Sequence, residues 1–282
     1  MHFPAVKAWR KFEPPELCGL LALLDEAIRD AILRGSRTLV YEVTQYLKPL
    51  WELESVEEFE RCYIDLLEMH FHAYTYGRVL HRDVSENNAM SRRGDDGKAV
   101  GFLNDWDLSC FVNADGVGEG LTSQHRTGTT PFMAVELQRR AADGTCVAAD
   151  HRYCHDLESF FWLLLWAVLH FDLENKCRLI CTYEQWTGDW AGSNSFKWNF
   201  LHKAGTLSAV LKNALDMWKG TVKRWVIPLA RMICDARERS TRWDDEAGKV
   251  FDDSIYAKEL TFEAFMHTIK QTPREWAHGK EA

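Results

Sequence analysis

No apolar run in this sequence is long enough to cross a bilayer. The longest purely apolar stretch, Phe160 to Leu169, has ten residues, about half of the ~20 that a membrane helix needs, and it reads as a buried core helix. The first residues, MHFPAVKAWRKF, carry neither an apolar signal core nor a small-residue cleavage site, so secretion is not indicated. The eight cysteines contain no CxxC pair, and their closest spacings are Cys177 to Cys181 and Cys146 to Cys154. Neither a zinc module nor a disulfide framework follows from that spacing; thiols in an intracellular protein, cytoplasmic or nuclear, are expected. Basic residues are in the minority, 34 Lys and Arg against 42 Asp and Glu for a net charge of −8, which disfavours nucleic acid and anionic membrane as partners. Internal repeats and low-complexity tracts are absent as well.

What is present is core material. The 282 residues are 46% hydrophobic and 27% charged, enough to bury a sizeable core and to exclude disordered or fibrous architectures. Pro14 and Pro15 introduce an amphipathic helix that carries Leu17, Leu20, Leu21, Leu24, Ile28 and Ile32 on one face and stops at Gly35. Thr38 to Leu47 is β-branched and aromatic and reads as a strand. Ser55 and Glu58 form a capping-box pair ahead of a long helix that runs to Gly77. Short strands are expected near Arg78 to Leu80 and Val100 to Asn104, with a turn-rich segment from Ser91 to Lys98 between them. The apolar helix from Asp156 to Phe171 follows an irregular stretch, and helical patterns recur at Leu207 to Trp218, Lys223 to Ala236 and Phe262 to Gln271. The fold class is α+β, mostly helical.

Five short motifs stand in a definite order. His81-Arg82-Asp83 is followed five residues on by Asn88; Asp105-Trp106-Asp107-Leu108 comes next; then Gly128-Thr129-Thr130 with Phe132-Met133-Ala134 and Glu136; then Asp156-Leu157-Glu158-Ser159; and last Asp235 to Thr241 with Arg239. These blocks match, in order, the HRDxxxxN catalytic loop, the metal-binding DFG position, the GTxxYMAPE segment, the core helix and a late arginine of protein kinases.

In its wording the chain resembles the fungal-type protein kinases, through LHRDVS, DWDL, RTGTTPFM and DLESFF. The resemblance covers roughly Thr38 to Gln271 and implies a protein kinase-like C-lobe that phosphorylates Ser or Thr of a protein substrate with ATP and Mg2+. It assigns Asp83 to accept the substrate hydroxyl proton, and Asn88 and Asp105 to hold magnesium and the nucleotide phosphates. Arg82 would meet a phosphate or acid on the activation segment, where Thr122, Ser123 and Thr127 are candidate phosphosites. Thr129 would contact the catalytic Asp. His81, Glu136, Asp156 and Arg239 are structural: Glu136 and Arg239 would form a buried ion pair, and Asp156 would either cap its helix or accept backbone N–H groups of the catalytic loop. His151 and His155, four apart beside Cys154, are read as packed or solvated rather than as metal ligands, and His70 and His72 give a weaker signal still.

Two positions depart from the general pattern: Ser85 stands where most Ser/Thr kinases have a Lys, and Asp107 replaces the Gly of DFG. The sequence has no GxGxxG loop, and the 37 residues before Thr38 are too few for four strands and a helix. Ala5-Val6-Lys7 and Glu26 match a strand Lys and its partner only faintly. The expected organisation is therefore an N-terminal segment, 1–37, in place of the small lobe, and a kinase-like domain, 38–282. Two other classes stay open: a pseudokinase scaffold that binds a regulatory partner protein, and a small-molecule phosphotransferase.

Overall fold

A computed structural model describes residues 8–12, 39–43, 45–118, 128–139, 150–245 and 248–274. The chain divides into two compact units, a smaller one, Pro4–Tyr46, and a larger one that contains Leu47–Ala282. In the smaller, β1 (Ala8–Phe12) and β2 (Leu39–Val43) pair antiparallel, with Ala8 opposite Val43 and Phe12 opposite Leu39. The strand β2 falls within the run expected at Thr38 to Leu47. The helix expected after Pro15, together with Lys7 and Glu26, lies outside the described residues.

The larger unit opens with β3 (Lys48–Pro49) and then α1 (Val56–Gly77). Ser55 caps α1, its Oγ accepting the Glu58 N–H at 3.2 Å. The return half of the capping box is displaced by one residue, because the Glu58 carboxylate accepts the N–H of Glu54 at 3.1 Å. Four short strands follow: β4 (Val79–Leu80), β5 (Ala89–Arg93), β6 (Ala99–Leu103) and β7 (Cys110–Phe111). β4 pairs with β7, and β3, β5 and β6 form an antiparallel sheet in that order. Strand β5 corrects the expectation of a turn from Ser91 onward. Its sequence AMSRR is weakly strand-forming, but pairing with β6 and burial of Ala89 and Ser91 on one face impose the strand. The turn shrinks to Gly94–Gly97, with Gly97 at φ 77°. β6 lies backbone-close to α1: a Cβ on Gly101 would sit 2.3 Å from the Cys62 carbonyl oxygen, and the Gly101 N–H donates to Asp65 Oδ2 at 2.8 Å.

Every residue of α2 (Tyr153–His170) is buried. The run Phe160 to Leu169 is apolar all round and must be covered, while the polar first turns are buried with hydrogen-bond partners such as those of Asp156 and Glu158. The helix begins three residues before Asp156, with Arg152 as N-cap and the Arg152 N–H taken by His155 Nδ1 at 3.1 Å; Asp156 is thus in the first turn and not at the cap. Around α2 are β8 (Phe171–Asp172), β9 (Cys177–Arg178), α3 (Glu184–Thr187), α4 (Trp190–His202) and α5 (Ala204–Leu211). A helical turn at Lys219–Thr221 and a π-helical turn at Val222–Val226 run directly into α6 (Ile227–Arg239). Pro228, in the first turn of α6, brings no N–H for the carbonyl four residues back, and the widened turn stands where that bond is lost. Then come β10 (Thr241–Asp244), β11 (Gly248–Phe251), α7 (Asp253–Glu259) and α8 (Phe262–Thr268). The sequence patterns missed α4, α7 and the β10–β11 hairpin, and they merged α5 with a separate 3-10 turn at Asp216–Trp218.

The core is rich in tryptophan, and four of its buried indole N–H groups have named acceptors. Trp162 donates to Glu158 at 3.1 Å, Trp166 to Glu86 at 2.6 Å, Trp186 to the Pro131 carbonyl at 2.8 Å and Trp218 to the Phe171 carbonyl at 2.9 Å. These bonds fix orientation as well as burial. Cys62, Cys110, Cys154, Cys177, Cys181 and Cys234 are free thiols. Among the described residues no helix is long and apolar enough to cross a membrane.

Candidate active site

The loop after β4 is held from below by Asp156. Its carboxylate accepts the N–H of His81 at 3.0 Å and that of Arg82 at 3.3 Å, and it takes His70 Nε2 at 2.8 Å and His151 Nε2 at 2.7 Å. Burial alone would raise its pKa; His151 and His70 outweigh that and hold the carboxyl well below the usual range. His151 and His70 are therefore carboxylate partners rather than metal ligands. His155 caps α2, and His72 stacks on Tyr76 at 5.4 Å.

His81 is wholly buried, and its two ring nitrogens have opposite tasks: Nε2 donates to the Asn104 carbonyl at 2.9 Å, while Nδ1 accepts the Asp83 N–H at 3.2 Å. A neutral ring satisfies both bonds, and burial lowers its pKa to about 4. The imidazole thus ties the backbone before Asp83 to the backbone before Asp105. Arg82 has φ 70° and Asp105 φ 57°, the left-handed region, where each chain turns sharply to present its next side chain. Arg82 Nη1 donates to the Leu108 carbonyl at 3.0 Å. Thr122, Ser123 and Thr127 lie outside the described residues.

Asp83 is bracketed from two sides. Asn88 Nδ2 donates to Asp83 Oδ2 at 3.1 Å and to the Asp83 carbonyl at 2.8 Å. Thr129 donates to Asp83 Oδ1 twice, from its N–H and from its hydroxyl, each at 2.8 Å. This approach requires Gly128: at φ 138° a Cβ there would lie 3.3 Å from the Arg82 carbonyl oxygen and 3.0 Å from Met133. Asp105 is exposed, and its pKa is raised by the partial burial of its carboxyl and by the charges of Asp107 and Asp83. The negative charges of Asp107 and Asp83 are thus felt at Asp105.

One structural pairing differs from the expectation. Glu136 meets Arg237, not Arg239: Arg237 Nη2 lies 2.5 Å from Glu136 Oε1, with both side chains buried, and Arg139 joins at 2.9 Å. Arg239 instead pairs with Glu259 at 2.8 Å, with its side chain half exposed. Positions 237 and 239 of α6 are ~200° apart around the helix, so only one can face the core. That one is Arg237, four residues after buried Ile233 and beside buried Ala236. Sequence reading also missed Lys197 of α4, whose side chain is wholly buried and whose Nζ donates to the Thr130 carbonyl at 2.9 Å, the Met133 carbonyl at 2.6 Å and Gln138 Oε1 at 3.0 Å. Burial pushes its pKa well below the usual lysine range while Glu158 opposes. Three acceptors within 3.0 Å nonetheless match the three N–H groups of an ammonium. A lysine between Phe196 and Trp198, with Phe200 close behind, was the available signal.

Residues 29–168 match the family model of the fungal protein kinases. Over that stretch the chain is similar to part of a fungal-type protein kinase domain. No curated protein matches it. The kinase match takes in His81, Asp83, Asn88, Asp105, Thr129, Glu136 and Asp156 and ends within α2, so Lys197, Arg237 and Arg239 lie beyond it.

Proposed function

We infer that this kinase-like chain supplies the C-lobe half of a phosphoryl-transfer site, acting on a Ser or Thr hydroxyl of a protein substrate with Mg-ATP. The observation that carries this reading is the bracketing of Asp83 by Asn88 and Thr129. A carboxylate has about four acceptor sites; two go to Thr129 and one to Asn88, which leaves one on Oδ2 for a substrate hydroxyl. Asp83 would take that proton as the hydroxyl oxygen attacks phosphorus.

The donor set fits magnesium. Both N–H groups of the Asn88 amide are used on Asp83, so its Oδ1 remains a neutral oxygen donor, and Asp105 adds a carboxylate beside like charges. Magnesium accepts one or two protein oxygens together with phosphate and water; bound there, it would neutralise charge on the transferred phosphoryl. Among the described residues no three His, Cys, Asp or Glu side chains converge as a protein-only metal cage.

One observation favours a scaffold role that binds a regulatory partner without turnover: Ser85, in the place of a phosphate-contacting Lys, is neutral and buried, at 1% exposure. Titration with Mg-ATP followed by thermal shift, and radiolabel transfer to a mixed Ser/Thr peptide pool with Asp83→Asn as control, separates the readings. Transfer abolished by that substitution supports the kinase. Absence of transfer with saturable nucleotide binding, or with none, selects the scaffold.

A further inference from the structure

We propose that Lys197 is a positioning residue for Asp83, acting through the Thr129–Met133 turn. This rests on the phosphoryl-transfer reading of Asp83. The turn is a single hydrogen-bonded unit: the Thr129 carbonyl accepts the N–H of Phe132 at 2.9 Å and that of Met133 at 3.3 Å. One end gives its N–H and hydroxyl to Asp83. The other gives its carbonyls at Thr130 and Met133 to Lys197. A shift of either end carries the other with it.

The choice of side chain is informative. Around Lys197 lie Trp162, whose ring is 5.5 Å from Nζ, and the buried Phe196 and Phe200. A methionine would fill such a place without desolvating a charge, whereas an ammonium there is unfavourable unless all three donors are used. All three are used, two on the backbone of the turn and one on Gln138, whose own Nε2 returns to the Thr130 carbonyl at 2.8 Å. Neighbouring side chains extend the grip: Ser193 reaches the Thr130 carbonyl at 3.3 Å, Trp186 the Pro131 carbonyl at 2.8 Å and Asn194 the Val135 carbonyl at 2.6 Å. α3 and α4 thereby hold four carbonyls in the segment that presents Thr129. Lys197 is the member with two of them, and it is a charged donor, the stronger kind.

The test is Lys197→Met in the full chain, read in two ways. Hydrogen exchange at the Thr129 to Met133 amides should accelerate about tenfold or more while exchange in α2 stays unchanged. If transfer is present, kcat should fall by about 10²-fold, the scale of a small misplacement of a catalytic group, with KM for Mg-ATP within about twofold. Adding Lys197→Met to Thr129→Ala should then cost less than Lys197→Met alone, because the hydroxyl half of the shared contact is already gone and only the Thr129 N–H remains to be displaced. If Lys197→Met does not fold, Gln138→Met removes one acceptor of the ammonium and one donor to Thr130, and gives the same exchange readout at smaller amplitude. Unchanged exchange at Thr129 in a folded variant, or full additivity with Thr129→Ala, overturns the proposal. Wild-type chain without any transfer overturns the kinase reading alone, since the exchange measurement still reports on Lys197.

Discussion

Arg237 and Glu136 stand 101 residues apart in sequence and meet in the interior, with 2% and 5% of their side chains exposed. The guanidinium lies 5.3 Å from the Trp198 ring, 5.1 Å from that of Phe251 and 5.8 Å from that of Tyr256, and Glu158 Oε2 lies 3.9 Å from its other terminal nitrogen. Removing one partner leaves the other buried charge with a weaker counter-ion, half-exposed Arg139 for Glu136 or Glu158 at 3.9 Å for Arg237, which costs up to about 3 to 5 kcal/mol. Glu136→Gln and Arg237→Met should each lower the thermal midpoint by many degrees. Arg239→Ala, which loses an exposed pair, should cost under about 1 kcal/mol. Equal losses from Arg237 and Arg239 in calorimetry would refute the assignment.

Acid should weaken the fold through buried histidines. His81 and His170 each fall from 6.5 to about 4 because burial disfavours the charged ring. Between those values the unfolded chain binds more protons than the folded one, so this stabilisation is complete above about pH 6.5 and is lost as pH falls toward about 4. Each histidine should remove about 2 kcal/mol between about pH 7 and about pH 5. His170→Asn, whose amide can still donate to the Trp166 carbonyl, should flatten that dependence by one histidine's share. Urea midpoints at the two pH values measure it, and an unchanged slope in the variant counts against the mechanism.

Gly101→Ala should destabilise although alanine is a small residue. The added methyl would meet the Cys62 carbonyl at 2.3 Å, so β6 must move away from α1, at about 1 to 3 kcal/mol. Gly94→Ala, where the nearest contact is a flexible Asp96 side chain at 3.1 Å, is the comparison. Chemical denaturation of the two variants should rank them in that order, and a Gly101→Ala midpoint equal to wild type rules the argument out.

Asp105→Asn should separate stability from binding. Asparagine tolerates the left-handed backbone, and the change removes a carboxyl that partial burial, with the charges of Asp107 and Asp83, holds above its ordinary pKa. Near neutral pH the variant should be at least as stable as wild type, yet should lose any thermal shift produced by Mg-ATP. A retained nucleotide shift in the variant excludes Asp105 as the metal carboxylate.

Much of this was legible in the sequence because the motifs are contiguous. HRD with Asn88, Asp105 and Thr129 each sit in short blocks whose internal spacing survives folding, and the ten apolar residues from Phe160 made α2 evident. The ion pair was legible only as to residue types: motif order pointed at Arg239, whereas helical phase, which needs the path of α6, selects Arg237. Strand β5 exists through its partner β6, and no local propensity announces it. Lys197 was missed because a lysine in a helix ordinarily points to water; its acceptors are backbone carbonyls more than 60 residues earlier, and carbonyls carry no sequence signature.

Because all 18 residues of α2 are buried, its amides should exchange with solvent only when the whole larger unit opens. Asp156 belongs to that helix and grips the loop before Asp83, so the anchor of the candidate site is part of the most slowly opening segment. Heating should then bring no early partial loss at the Asp156–His81 contact: its melting should coincide with global unfolding, in one cooperative step.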